Sequence, residues 1–143
     1  MYANAAFGAQ QYANVGVRSG IEDASPHRLI QMLFEGGLQR LATAKGAIQR
    51  EDRAAKGEQI GKAIGIIGGL RESINPEAGE LSENLESLYA YMQRRLLEAN
   101  IESSMEKVEE VSALLRDIKE AWDGIAPEKV SDKAESDDVR QSA

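Results

Sequence analysis

The stretch SPHRLIQMLFEGGLQRL, residues 25–41, opens the most regular apolar pattern of this chain. Ser25 is a residue type that caps the free amides at a helix start, and Pro26 suits the first helical position because it has no N–H to leave unpaired. Apolar or small residues then recur at alternating spacings of four and three, which is the period of one helix face. They are Ile30, Phe34, Gly37, Leu41, Ala44 and Ile48. The pattern predicts a long amphipathic helix that begins at Ser25.

Three more segments show the same period. The second predicted helix covers residues 54–74 and ends where Pro76 forces the preceding residue out of the helical region. The third covers residues 80–100, and the fourth follows Ser103, which with Glu106 matches the S-x-x-E capping box. Their apolar stripes are Ala63, Ile67, Leu70 and Ile74; Leu81, Leu85, Leu88, Met92, Leu96 and Ala99; and Val108, Val111, Leu115, Ile118 and Trp122.

Short connections between four helices favour antiparallel neighbours. The sequence therefore predicts an all-α fold, an antiparallel up-down four-helix bundle over residues 25–125. Residues 1–24 lack a sustained period and form a predicted flexible arm that still carries aromatic side chains. Residues 126–143 are charged and nearly free of large apolar groups, and are predicted to be a disordered acidic tail.

Composition excludes several classes of function. The formal charge of −7 disfavours a nucleic-acid partner, because phosphate binding needs a concentrated positive face. The absence of cysteine excludes a disulfide framework and thiolate metal sites, and is compatible with a reducing compartment. The chain has no apolar run of the length that spans a bilayer, and its first residues do not read as a signal peptide. We expect a cytoplasmic protein that does not insert into membranes.

The sequence gives no support for catalysis or for a cofactor or metal. His27 is the only histidine, and no E-x-x-H pair of the kind found in helical metal bundles is present. A phosphotransfer histidine would stand in the middle of a helix beside a lysine, whereas His27 follows Pro26 in a first turn. We expect His27 to be a surface residue at a helix start, and the protein not to be an enzyme.

Apolar residues outnumber what one face of each helix can bury. At 100° per residue, Met32 and Leu97 fall away from their stripes, and Ile64, Ile66, Tyr89 and Tyr91 fall beside theirs. Single exposed hydrophobes are ordinary, but a surplus on three helices favours an exposed apolar groove. Such a groove would hold another protein.

The second helix also contains a stripe of glycines, at positions 57, 61, 65 and 68, with Gly69 next to it. Each glycine inside a helix costs about 0.5–1 kcal/mol relative to alanine, so the five together weaken this helix by roughly 3–5 kcal/mol. The stripe permits close approach by another backbone, or it reflects drift at solvent positions. Both readings remain open at this point.

Two long segments resemble a known family. ASPHRLIQMLFEG, residues 24–36, closely resembles the opening helix of the flagellin-specific export chaperones of the FliS family, and NLESLYAYMQRRLLEAN, residues 84–100, resembles their third helix. KAIGII at residues 62–67 and the pair Ala121-Trp122 also fit. The resemblance extends over nearly all of residues 12–122.

The resemblance implies a cytoplasmic four-helix bundle that binds the carboxy-terminal segment of newly made flagellin. Such chaperones prevent premature polymerisation of flagellin and help to deliver it to the flagellar type III export gate. In this family an amino-terminal tyrosine lies near the partner-binding cleft, and Tyr12 stands at the matching position. From the surplus surface and the resemblance together we expect the partner-binding residues to be Tyr12, Val15, Ile60, Ile64, Tyr89, Met92 and Leu96.

Two other functions compete with this hypothesis. A structural or regulatory bundle could use the same apolar surface for self-association, as a homodimer without flagellin binding. A phosphorelay module would require His27 to accept phosphate, which its position disfavours.

Overall fold

The computed structural model describes residues 23–125, which form four antiparallel helices. They are α1 (Pro26–Gln49), α2 (Arg53–Glu72), α3 (Glu80–Glu102) and α4 (Met105–Asp123), with a short 3-10 helix (Pro76–Ala78) between α2 and α3. No strand occurs within these residues. The predicted all-α four-helix fold is confirmed for the described part of the chain, whereas the predicted flexible arm and disordered tail lie outside it.

Local sequence signals fix where the helices begin. The Ser25 side chain accepts a hydrogen bond from the Arg28 amide at 3.1 Å, with Pro26 in the first turn, as predicted. Asp52 caps α2 in the same way, through the Ala55 amide at 3.1 Å. The prediction that Ser103 opens α4 is wrong by one residue. Ser103 ends α3 in the left-handed conformation (φ 53°, ψ 45°), so Ser104 caps α4 instead.

Each helix packs on two neighbours, so that the four lie at the corners of a square. α1 lies beside α2 and α4, and α3 lies beside α2 and α4, while the diagonal pairs do not touch through their backbones. α1 and α2 have the most extensive contact, and α3 and α4 the least. This order is that of an up-down bundle.

The two ends of the bundle differ. At the terminal end, α1 begins and α4 finishes, so both limits of the described chain, Asp23 and Ile125, lie there. At the turn end, the α1–α2 and α3–α4 connections meet, and Lys56 Nζ donates to Ser103 Oγ at 2.7 Å between them.

The core is aliphatic and runs the length of the bundle. Its fully enclosed side chains, with at most 2% of their area exposed, include Phe34, Leu41, Ile60, Ile67, Leu70, Met92, Leu96, Val108, Val111 and Leu115. Gly37 lets α4 approach α1 closely, since a Cβ there would lie 3.0 Å from Leu115 Cδ2. Within residues 23–125 no helix is long and apolar enough to cross a bilayer.

Candidate partner-binding cleft

The predicted contact residues that the structure describes lie in the core or pack against it. Ile60, Met92 and Leu96 are 1%, 0% and 0% exposed, and Tyr89 is 4% exposed, so in this conformation none of them offers surface to a partner. Burial raises the pKa of the Tyr89 hydroxyl, as expected for a phenol away from water. Ile64 is half-buried and packs against the core. Tyr12 and Val15 lie outside the described residues, and partner contact by any of the seven stays a prediction.

The histidine prediction was wrong. His27 is 3% exposed, and its ring stacks on Trp122 with centroids 4.9 Å apart and planes 13° from parallel. The indole N–H of Trp122 donates to the His27 carbonyl at 3.0 Å. His27 Nδ1 is buried without a hydrogen-bond partner. The histidine therefore joins the start of α1 to the end of α4, and it is enclosed rather than presented to a phosphate donor.

Incompletely buried apolar side chains of α3 and α4 are concentrated toward the terminal end. In the first half of α3 and the second half of α4 they pack against the edge of the core or are exposed. The residues are Leu81, Leu85 and Leu88 on α3 and Leu114, Ile118 and Trp122 on α4, with Ile125 just beyond. Leu81 is 64% and Ile125 39% exposed. We call this surface the α3–α4 cleft.

The same two helices are closed toward the turn end. Met92, Leu96 and Ala99 of α3 and Val108 and Val111 of α4 are all 0% exposed. At the edge of this closed part, the Glu110 carboxylate accepts two hydrogen bonds from α3. One comes from the Tyr91 hydroxyl and the other from Arg95 Nε, at 2.8 Å. Burial of the apolar side chains of α3 and α4 is thus complete toward the turn end and partial toward the terminal end.

A second apolar patch lies on the outer side of α3. Leu97 is 54% and Ile101 84% exposed, one helical turn apart. Gln93 Nε2 donates to the Ile64 carbonyl at 3.1 Å, and Asn100 Oδ1 lies 3.9 Å from a Cβ built on Gly57. Leu97, midway between Gln93 and Asn100, therefore lies beside the middle of α2. We call Leu97 and Ile101 the outer patch.

The glycines of α2 differ in the space around them. A Cβ built on Gly68 would lie 3.4 Å from Gln93 Nε2, the end of a flexible side chain of α3. At Gly57 and Gly69 it would lie at ordinary contact distances, 3.9 Å from Asn100 Oδ1 and 3.7 Å from Leu33 Cδ1, and at Gly61 and Gly65 it would meet nothing within 4 Å. Packing inside the bundle is therefore closest at Gly68 and does not account for Gly61 and Gly65.

Sequence reasoning missed most of this cleft. Leu81, Leu85, Leu88, Ile118 and Trp122 were predicted as core because they lie on the inward stripes. The helical period of a single sequence does not show which residues of an inward stripe are only partly covered. Ile66, placed beside its stripe by the angular count, is buried at 7% exposure, whereas Leu97 is exposed as predicted.

A helical bundle whose apolar residues are incompletely covered at one end is typical of helical proteins that bind another protein. The family model for Flagellar protein FliS matches residues 8–129. The chain belongs to the FliS family, a family of flagellar secretion chaperones.

Curated relatives carry the same name. The chain is 54% identical over 127 residues to Flagellar secretion chaperone FliSB of Pseudomonas aeruginosa, a match that covers 88% of this chain and 99% of that protein. It is 46% identical over 124 residues to Flagellar secretion chaperone FliS of Salmonella typhimurium, covering 85% of this chain and 92% of the relative. Flagellar secretion chaperone FliS of Escherichia coli is 47% identical over 124 residues, a match that covers 85% of this chain and 90% of that protein. The family resemblance read from the sequence is thereby confirmed.

Proposed function

We propose that this chain is a cytoplasmic export chaperone that binds the C-terminal helical segment of flagellin. By covering that segment it would prevent premature polymerisation and assist delivery to the flagellar type III export apparatus. The observation that carries the proposal is the α3–α4 cleft, an apolar surface left uncovered in a member of a secretion-chaperone family. The chain would work by binding alone, without a cofactor.

The cleft suits an amphipathic helix. Leu81, Leu85 and Leu88 recur at the spacing of one helix face, and Ile118 and Trp122 lie on the apolar stripe of the neighbouring α4. A partner helix would place its own apolar face against these side chains, which is the helix-in-groove mode of recognition. Burial of about 1,000 Å² of apolar surface is worth roughly 25 kcal/mol gross, most of which is consumed by ordering a disordered partner and by association. Nanomolar to micromolar affinity is the expected result.

The arm is the other proposed contributor. The resemblance places Tyr12 near the partner-binding cleft, and the described chain begins at Asp23, at the terminal end where the cleft opens. Tyr12 and Val15 lie 11 and 8 residues before Asp23, which is enough extended chain to reach the cleft. We therefore propose that these two side chains contact the same region as the flagellin segment.

Calorimetric titration with a synthetic flagellin C-terminal peptide tests the proposal. Leu81→Asp should weaken binding at least tenfold, because it places a charge in the cleft, whereas the bundle should stay folded because the side chain is already 64% exposed. Leu97→Asp is the matched control, since Leu97 is 54% exposed but lies on the outer patch. Tyr12→Ala should change the affinity while leaving the helix content intact.

The outcomes separate the proposals. If the wild-type chain gives no heat and no ordering of the peptide, flagellin binding is wrong. If Leu97→Asp weakens binding as much as Leu81→Asp, the peptide binds but the cleft is not its site. Sedimentation at several concentrations covers the competing function: a tight dimer that excludes the peptide would favour a self-associating bundle.

A further inference from the structure

We propose that a cavity at the turn end binds the carboxylate of an acidic peptide segment, with Lys56 as the residue that holds this carboxylate. The cavity has a volume of about 520 Å³ and lies where the α1–α2 and α3–α4 connections meet. Glu51, Asp52, Arg53, Lys56 and Ser103 line it, together with two apolar residues of α1. The site is independent of the proposed function, because the residues of the α3–α4 cleft lie toward the other end of the bundle.

Lys56 is a buried cation without a carboxylate partner. It is only 8% exposed, although lysine is rarely buried unless its charge is paired. Its ammonium donates to Ser103 Oγ at 2.7 Å, and no carboxylate among residues 23–125 forms an ion pair with it. An ammonium has three N–H donors, so one hydroxyl satisfies only part of its capacity. Because Lys56 also lines the cavity, a carboxylate that enters from outside would supply the missing charge partner.

Two further features bring positive charge to the cavity. Arg53 is exposed on its wall and forms no ion pair with any residue that the structure describes. It is also the first residue of α2, whose free amides give this end of the helix a partial positive charge. Asp52 has the opposite charge, but its carboxylate already accepts the Ala55 amide as the helix cap. Glu51 is the one lining carboxylate that should oppose an acidic ligand, and it therefore provides a test.

The cavity is larger than a single small anion requires. Its volume of about 520 Å³ lies within the range of roughly 300–1,000 Å³ that is usual for ligand pockets. Ala47 and Ile48 add an apolar side to the lining. The methylene groups that carry an aspartate or glutamate carboxylate would contact this side while the carboxylate reaches Lys56. The combination fits an acidic side chain on a peptide better than an inorganic anion.

The test is a titration of the isotope-labelled full chain with a capped peptide of six glutamates, followed by the NMR shifts of the backbone amides. A capped peptide of six glutamines is the matched neutral control. About 0.15 M salt screens charges that are more than roughly 8 Å apart. The glutamate peptide should shift the amides of Glu51, Lys56 and Ser103, and the glutamine peptide should not.

Two lysines of α2 form a matched pair of variants. Lys56→Gln should weaken binding of the glutamate peptide about fivefold or more, because it removes a charge-assisted hydrogen bond. Lys62→Gln removes the same charge from the same helix, but Lys62 pairs with Glu58 at 3.0 Å and does not line the cavity. It should leave the affinity near the wild-type value.

Exposed residues keep the test valid if Lys56→Gln does not fold. Arg53→Gln should weaken binding about twofold or more, with Arg50→Gln as its control, since Arg50 is exposed at the same end but does not line the cavity. Glu51→Gln should strengthen binding by a similar factor, because it removes the opposing charge. A change of opposite sign at two exposed neighbours is not expected from a loss of stability.

The acidic segment has two sources, a partner protein or residues 126–143 of this chain. Eighteen residues of extended chain reach roughly 60 Å, whereas the 19 residues of α4 span about 28 Å, so the segment is long enough to return to the turn end. Replacing its carboxylates by amides in the full chain separates the sources. If the chain supplies the ligand, the replacement shifts the amides of the cavity without peptide and tightens binding of the glutamate peptide. If a partner supplies it, neither changes. The carboxylates are Glu128, Asp132, Glu135, Asp137 and Asp138.

Three results would overturn the proposal. They are equal binding of the glutamate and glutamine peptides, equal losses in Lys56→Gln and Lys62→Gln, and shifts that avoid the residues lining the cavity. In each case Lys56 serves only to join the two connections through Ser103. If the glutamate peptide binds as expected while a flagellin peptide gives no heat, the proposed function fails and the carboxylate site stands.

Discussion

Replacement of Gly61 and Gly65 by alanine should stabilise the bundle. Both positions are in the interior of α2, neither has a positive φ, and a Cβ at either would meet nothing within 4 Å. The substitution therefore gains helix propensity and restricts the unfolded chain without a steric cost, worth about 0.5–1 kcal/mol at each site. The double variant should gain roughly 1–2 kcal/mol.

The assay is urea unfolding followed by circular dichroism, with thermal unfolding as a second measurement. For a domain of this size, 1 kcal/mol corresponds to roughly 4–8 °C in the melting temperature. Gly37→Ala is the matched control in α1, because its Cβ would lie 3.0 Å from Leu115 Cδ2, a side chain with no exposed area. Overpacking there costs about 1–3 kcal/mol, more than the helix propensity returns.

Two results would refute this reasoning. If Gly61→Ala and Gly65→Ala fail to raise stability, the two glycines are not free of internal constraint. If Gly37→Ala is as stabilising as they are, the close approach of α1 and α4 does not limit side-chain size. Peptide titration on the double variant then separates the two readings of the stripe. If the double variant is more stable and binds the peptide with unchanged affinity, the two glycines reflect sequence drift at solvent-exposed positions. If it loses affinity, a partner backbone lies against α2.

Two further predictions concern the terminal end and the charged network. Trp122→Phe should lower the free energy of unfolding by about 1–2 kcal/mol, because it removes the indole hydrogen bond to the His27 carbonyl and part of the ring stack; denaturant titration followed by circular dichroism measures it. Hydrogen bonds from Tyr91 and Arg95 hold the pKa of Glu110 below its ordinary 4.5, and Lys119 lowers that of Asp123. Stability from these carboxylates is present above their unfolded pKa values and is lost as the pH falls through the lower folded values, so Glu110→Gln should flatten the acid side of the stability curve.

Each of these has an outcome that contradicts it. If Trp122→Phe leaves the free energy of unfolding unchanged, the hydrogen bond and ring stack to His27 contribute no stability beyond what a packed phenyl ring provides. The acid range to compare is pH 5 to pH 3, about one unit on either side of ordinary carboxyl pKa values. If the stability of Glu110→Gln falls there as steeply as that of the wild-type chain, the contacts of Glu110 carry none of the acid sensitivity. High salt should reduce the same contribution, since these groups are close to solvent.

The sequence alone determined the four helices and most of their limits. Ser25 with Pro26 and the capping Asp52 act within one turn of chain, so their effects do not depend on distant residues. The apolar period likewise identifies which face of each helix turns inward, as the burial of Phe34 and Met92 shows. The resemblance to the family was carried by residues 24–36 and 84–100, and the FliS family model matches residues 8–129.

Only the tertiary structure decided which inward residues are covered. Met92 and Leu88 lie on one stripe of α3, yet the first is enclosed and the second half-buried. His27 appears polar and exposed in the sequence, but Trp122, 95 positions later, covers it. The helical period of a sequence shows in which direction a side chain points from the axis of its own helix. It carries no information about how the neighbouring helices are placed, and their placement decides whether that side chain is covered.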